Sequence, residues 1–170
     1  MASAQVQRRA QETRTAHLSF PRVLVVIDGS ERTGRILEFA LGLAQDGRGA
    51  EVVLLGVVRE PPDGRLRGYG SFKRHEVHAR LKDVLKQRAV AAAARRLDQA
   101  GVTHLERIEV GDPVETILRV AKQESCDMII IGDVPAGAFR RWLPQITGLS
   151  VATVACQVAQ LARVSVVIIK

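Results

Sequence analysis

The sequence predicts an α/β fold: a three-layer sandwich built on a five-stranded, mostly parallel sheet with four helices. Three observations carry this expectation. Short apolar runs alternate with longer stretches of helical periodicity, as right-handed crossovers between parallel strands require. The runs are continuous in Val, Ile and Leu rather than alternating, the mark of strands covered on both faces. Hydrophobic residues make up 46% of the 170 residues while aromatics make up only 4%, so the core is aliphatic and large enough for one domain.

The elements follow in order. Val23 to Ile27 reads as a buried strand that ends in Asp28-Gly29-Ser30, a turn and helix start. Ile36, Leu37, Ala40, Leu41 and Ala44 then recur at helical spacing, and Gly47 and Gly49 stop the helix. Val52 to Val58 is the second strand. Pro61-Pro62-Asp63-Gly64, with Gly68 and Gly70 behind it, predicts a mobile loop. A single long helix is expected over roughly Lys73 to Ala100, with Val77, Leu81, Leu85 and Ala92 on its inner side and Gly101 at its end.

A third strand is expected near Leu105 to Val110. Gly111-Asp112-Pro113-Val114-Glu115 is a helix start: Asp112 suits the N-cap, Pro113 the first turn and Glu115 a capping box. Ile117, Leu118 and Ala121 supply its inward stripe. Met128 to Ile131 is the fourth strand, ending at Gly132. A loop containing Pro135, Gly137 and Pro144 leads to a helix from about Gly148, and Val164 to Ile169 is the last strand. Residues 1–20, with Arg8, Arg9 and Arg14, are expected to form a disordered basic tail. Residues 21–170 are expected to form the domain.

Composition narrows the function classes. The two cysteines, Cys126 and Cys156, give neither a disulfide framework nor metal-ligand spacing. Both sit among apolar residues and are expected to be small buried hydrophobes in a reducing compartment. His75 and His78, three apart on a helix, read as surface residues rather than a metal site. The first twenty residues hold no apolar run of the kind a signal peptide needs. The apolar stretch Leu149 to Ile169 is broken by Gln157, Gln160 and Arg163, so it reads as a helix and a strand rather than a membrane span. A cytoplasmic location is the expectation. The net charge of +7 permits anionic partners: nucleic acid, anionic membrane or nucleotide phosphates.

Ligands of open α/β sheets bind outside the carboxyl ends of the strands, at a switch point. Here those ends are Asp28-Gly29-Ser30, Val57-Val58 and Gly132-Asp133. Several phosphate motifs fail there. Gly29 and Gly34 have the spacing of a P-loop, but Arg35-Ile36 follows where Lys and then Ser or Thr are needed; no G-x-G-x-x-G follows a strand. No G-x-S-x-G is present either. Two features remain. Asp28 can cap the helix, accept from a ligand amine or hydroxyl, or do both. Gly132 through Val151, with Gly137, Gly148 and Ser150, reads either as a capped glycine-rich surface loop or as backbone N–H groups for phosphate oxygens. Arg140 and Arg141 lie within that stretch.

Val25-Val26-Ile27-Asp28-Gly29-Ser30-Glu31 resembles the first strand of universal stress proteins. Gly111-Asp112-Pro113 resembles the turn that opens their third helix. Asp127 to Gly132 is similar to the run closing their fourth strand, and Ser165 to Ile169 to their last, with Ser165 where Pro is usual. The resemblance covers residues 21–170 and implies an adenine nucleotide alpha hydrolase-like fold. Many members bind ATP through G-x-x-G-x9-G-[ST] after the fourth strand. Gly132 matches the first glycine, but the second position is Pro135 and the third is Gln145, with Gly148 three residues on and Leu149 between it and Ser150. Proline has no N–H and fixes φ, so the resemblance implies an altered triphosphate cradle. The adenosine contacts carry over to Val26, Asp28, Val57 and Ile131.

The resemblance therefore implies a cytoplasmic stress-response or signalling module with a degenerate adenine-nucleotide site at Val26, Asp28, Val57, Ile131, Gly132, Gly137, Gly148, Ser150 and Val151. ATP or another adenine nucleotide is the implied ligand, with Mg²⁺ only alongside it. It implies a homodimer through the last strand and a protein partner of unknown identity. Efficient catalysis is not expected, since no nucleophile, base and oxyanion donor assemble from these residues. Two alternatives stay open. One is an ATP-dependent enzyme of the ATP-pyrophosphatase group, for which Asp28-Gly29-Ser30-Glu31 is a poor phosphate loop. The other is a nucleic-acid or anionic-surface binder using the basic stretch Arg65 to Arg96, disfavoured because no aromatics interleave the charges.

Overall fold

Val23, Leu24 and Val25 are each at most 1% exposed because their strand has a neighbour on each side and helices on both faces. A computed structural model describes residues 22–45, 50–59, 74–85, 89–133 and 153–170. The tail at 1–20, the loop expected at 61–70 and the stretch 134–152, with Gly137, Gly148, Ser150 and Val151, lie outside the described residues. The elements are β1 (Arg22–Ile27), α1 (Arg32–Gln45), β2 (Glu51–Val58), α2 (Arg74–Leu85), α3 (Ala91–Gln99), β3 (His104–Val110), α4 (Pro113–Gln123), β4 (Met128–Gly132), α5 (Val154–Leu161) and β5 (Ser165–Ile169).

The five strands form one sheet in the order β3-β2-β1-β4-β5, and every ladder is parallel. β1 lies at the centre; β2 and β3 extend to one side of it, β4 and β5 to the other. The crevice between the carboxyl ends of β1 and β4 is therefore the switch point of the sheet.

Strand alternation divides the core in two. Val23, Val25, Ile27, Val52, Leu54, Met128 and Ile130 face α1 and α3, where Ile36, Leu37, Val90's neighbours Ala89 and Ala93, and Leu97 meet them. Leu24, Val53, Leu55, Ile129 and Ile131 face α4 and α5, where they meet Ile117, Val120, Ala155 and Val158. Continuous apolar strands follow directly from having two such faces to fill.

The single long helix expected over Lys73 to Ala100 is instead two, so the described residues hold five helices rather than four. Ala89 and Val90 carry wide π-type turns just ahead of α3. Gly56 of β2 lies beneath the end of α2 and the turns that lead into α3. A Cβ there would stand 2.7 Å from Leu85 Cδ2 and 3.1 Å from Val90 Cγ2. Leu85 and Val90 thus both come down onto the sheet at Gly56. The inward stripe shifts accordingly. Ala92 is exposed, whereas Val90, Ala93, Ala94 and Leu97 are buried, at the i, i+3, i+4, i+7 spacing of one helix face.

The helix starts are built by side chains. Asp112 Oδ1 accepts from Glu115 N–H at 3.1 Å, with Pro113 in the first turn. Thr153 Oγ1 accepts from Cys156 N–H at 3.2 Å and opens α5; the described helix thus begins well after Gly148. At the amino ends of the strands, Asp127 N–H donates to Arg22 C=O at 2.8 Å, and the Arg22 guanidinium donates to Glu51 and to the Glu124 carbonyl.

The cysteines divide. Cys126 is buried, and burial pushes its thiol up to about 11. Cys156 is exposed, against the expectation of burial, because Ala155 and Val158 take the inner positions of α5. Among the described residues, no helix is long and apolar enough to cross a membrane.

Candidate functional site

Val26, Val57 and Ile131 come from three adjacent strands and share one face of the sheet. All three belong to the α4/α5 side of the core: Ile131 is buried, and Val26 and Val57 are half-buried against it. They form a short apolar wall near the carboxyl edge. Strand alternation fixes this, since Val26 follows buried Leu24, Val57 follows buried Leu55, and Ile131 follows buried Ile129 by two residues each.

Asp28 stands at the end of β1, exposed. One of its carboxylate oxygens, Oδ1, accepts from Ser30 N–H at 2.9 Å. This is the local turn expected of an Asp at such a corner. It holds the carboxylate at the lip of the crevice. Gly29 has φ +75°, and a Cβ there would lie 3.2 Å from Ala89 Cβ, so the turn depends on glycine twice over.

Gly132 closes β4 on the far side of the crevice. A Cβ at Gly132 would meet Ile36 Cδ1 at 3.2 Å and Arg32 Cδ at 3.8 Å, so the end of β4 lies directly against the first turns of α1. Asp133 follows, and its N–H donates to Ile169 C=O at 2.8 Å, tying the crevice to the end of β5. The sequence-expected residues Val26, Asp28, Val57, Ile131 and Gly132 thus gather at one edge.

Three further side chains near this edge were not assigned a site role from the sequence. Ser30 Oγ, Thr33 Oγ1 and Asp133 Oδ1 are buried and have no hydrogen-bond partner among the described residues. Such groups are uncommon in folded proteins and call for an explanation. For Asp133 a signal existed, because Gly132-Asp133 was recognisable as a strand end. For Ser30 the signal was its place in Asp28-Gly29-Ser30; for Thr33 there was none.

The sequence profile of the Universal stress protein family matches residues 19–170. The chain belongs to the universal stress protein family. Universal stress protein YxiE of Bacillus subtilis (strain 168) is 26% identical over 155 residues, spanning 89% of this chain and 99% of that protein. Among solved structures, hypothetical protein MJ0577 superposes with a TM-score of 0.68 at 21% identity, covering 90% of this chain and 97% of the other. A universal stress protein in complex with cAMP gives 0.58 at 22% identity, with 89% and 97% covered. One from Archaeoglobus fulgidus in complex with dAMP gives 0.59 at 22% identity, with 90% and 100% covered. The universal stress protein fold, with its crevice at the β1/β4 switch point, is thereby established for residues 22–170 as far as they are described.

Proposed function

We propose that this universal stress protein is a stress-response or signalling module that binds an adenine nucleotide at the β1/β4 crevice. The observation that carries the reading is the convergence of Val26, Val57 and Ile131 on one sheet face beside Asp28. An apolar wall suits the flat face of a base, and a carboxylate at its lip suits a ribose hydroxyl, which needs an acceptor. Gly132 keeps the end of β4 free of a side chain. The relatives solved with cAMP and with dAMP support an adenine ligand.

The phosphate side of the site is altered. Pro135 replaces the N–H that the family's second glycine supplies, and Gly137, Gly148, Ser150 and Val151 are the residues left to meet the phosphates. ATP or another adenine nucleotide is the ligand in this reading, and Mg²⁺ enters only with it. The role is binding without efficient turnover, so that occupancy is the signal and an unidentified protein partner reads it. β5 lies at the edge of the sheet, where an unpaired apolar strand invites pairing. A symmetric homodimer through β5 satisfies that edge.

Calorimetric titration with ATP and Mg²⁺, ADP and AMP tests the reading. Micromolar binding of one of them, weakened by Asp28→Ala with the fold intact, is the expected result. No binding of any of the three overturns the nucleotide reading, and unchanged affinity in Asp28→Ala removes Asp28 from the site. Robust release of AMP or ADP from labelled ATP overturns the non-catalytic role.

A further inference from the structure

Arg22, Arg32 and Lys82 are the half-buried arginine and lysine residues among those described. Two of them have an acid as partner. Arg22 Nε donates to Glu51 Oε2 at 2.8 Å, and Lys82 Nζ lies 3.7 Å from Glu109 Oε2. Arg32 has no hydrogen bond and no ion pair within 4.0 Å among the described residues. The carboxylates of Asp28 and Glu31, in the turn ahead of it, and of Asp133, which follows Gly132, all fall outside that distance. A guanidinium partly withdrawn from water without a partner is costly.

The place of Arg32 is set by β4. It is the first residue of α1, and its stem runs along the end of that strand. A Cβ on Gly132 would lie 3.8 Å from Arg32 Cδ and 3.9 Å from Arg32 Cβ. Gly132 is the last residue of β4, and β4 pairs with β1 to frame the switch point. The side chain therefore crosses the carboxyl end of β4 at the crevice, whereas Arg35, three residues on, is exposed. A cation at the first position of a helix also works against the dipole, and the first turn of α1 has no acidic residue to offset it. Both costs fall away when an anion sits against the guanidinium.

We propose that Arg32 is a phosphate ligand of the β1/β4 crevice, its guanidinium taking a phosphate group of the bound nucleotide. This deepens the nucleotide reading and rests on it for the base and ribose contacts. A guanidinium is planar, always charged and able to give two parallel N–H bonds to phosphate oxygens. The contact comes from a side chain of α1, so it does not depend on the backbone N–H that Pro135 lacks. Its consequence is a selectivity. Arg32 separates a nucleotide from its nucleoside, adding affinity for ADP that adenosine does not share, and it needs no metal to do so.

Calorimetric titration of the full chain with adenosine and with ADP, in EDTA at low salt, tests this. Wild type should bind ADP at least about tenfold more tightly than adenosine. Arg32→Gln should weaken ADP by about tenfold or more and leave adenosine unchanged. Arg32→Lys should keep part of the ADP affinity, since it retains the charge and loses the paired N–H bonds. Arg35→Gln removes the same charge from the same helix and should change ADP binding by less than about twofold. Circular dichroism checks that each variant folds. ADP affinity indifferent to Arg32→Gln, or lowered equally by Arg35→Gln, overturns the proposal and leaves the nucleotide reading standing. Failure of both ligands to bind wild type overturns the nucleotide reading, and the role of Arg32 with it.

Discussion

Replacing Gly56 by alanine is the sharpest probe of how α2 and α3 sit on the sheet. The added methyl would be 2.7 Å from Leu85 Cδ2 and 3.1 Å from Val90 Cγ2, against about 3.5–4.0 Å for carbon atoms in contact. The two neighbours yield unequally. Leu85 is half-buried at the end of α2 and can swing its tip, whereas Val90 is fully buried and stiff at χ1. Overpacking of this kind costs about 1–3 kcal/mol. For a domain of this size the midpoint of thermal unfolding should fall by about 2–12 °C.

Thermal and urea unfolding followed by circular dichroism measure this, with the urea slope unchanged if only stability is altered. Leu85→Ala on the Gly56→Ala background should restore room, so the pair should cost less than the sum of the single changes. A midpoint within about 1 °C of wild type, or strict additivity of the pair, would refute the account of Leu85 and Val90 packed closely over Gly56.

Two other perturbations follow from the same structure. Val167→Lys places a charge on β5, at the edge proposed for pairing between copies, and should shift sedimentation from dimer to monomer; an unchanged profile rules out pairing through this strand. The Cys126 thiol is raised by burial from 9.0 to about 11, so the folded state holds its proton where the unfolded chain has released it. Stability from this group is thus complete below the unfolded value and falls as pH rises from about 9 to 11. Cys126→Ala should flatten that alkaline slope, and a thiol reagent at neutral pH should label exposed Cys156 alone in the native protein. Equal labelling of both would mean that Cys126 is not held in the core.

Much of the fold was legible because the strands are buried on both faces. Val23 to Ile27 and Met128 to Ile131 are apolar throughout, and only a central strand between two helical layers needs that pattern. Asp112 was legible because capping is local chemistry, settled within four residues. The division into α2 and α3 was not legible. Ala89 and Val90 carry no helix-breaking signal, and the glycine that Val90 packs over lies more than thirty positions away in β2. Cys156 misled for the opposite reason: apolar neighbours in sequence point in different directions around a helix as short as α5. At the site, alternation alone places Val26, Val57 and Ile131 together, whereas the orphaned oxygens of Ser30 and Asp133 are a property of packing that no spacing encodes.

β4 reaches its place beside β1 late in the chain's logic. Arg22 and Asp127, which clasp the two strands at their amino ends, are 105 residues apart. The pairings of β1 with β2 and of β2 with β3 join residues nearer in sequence, whereas the crevice exists only where β4 has joined β1. Closing the long loop between β1 and β4 is thus the same event as creating the crevice. A ligand seated there would favour no partly assembled form. It would draw on the completed domain alone, and its affinity would appear in full as resistance of the whole chain to unfolding.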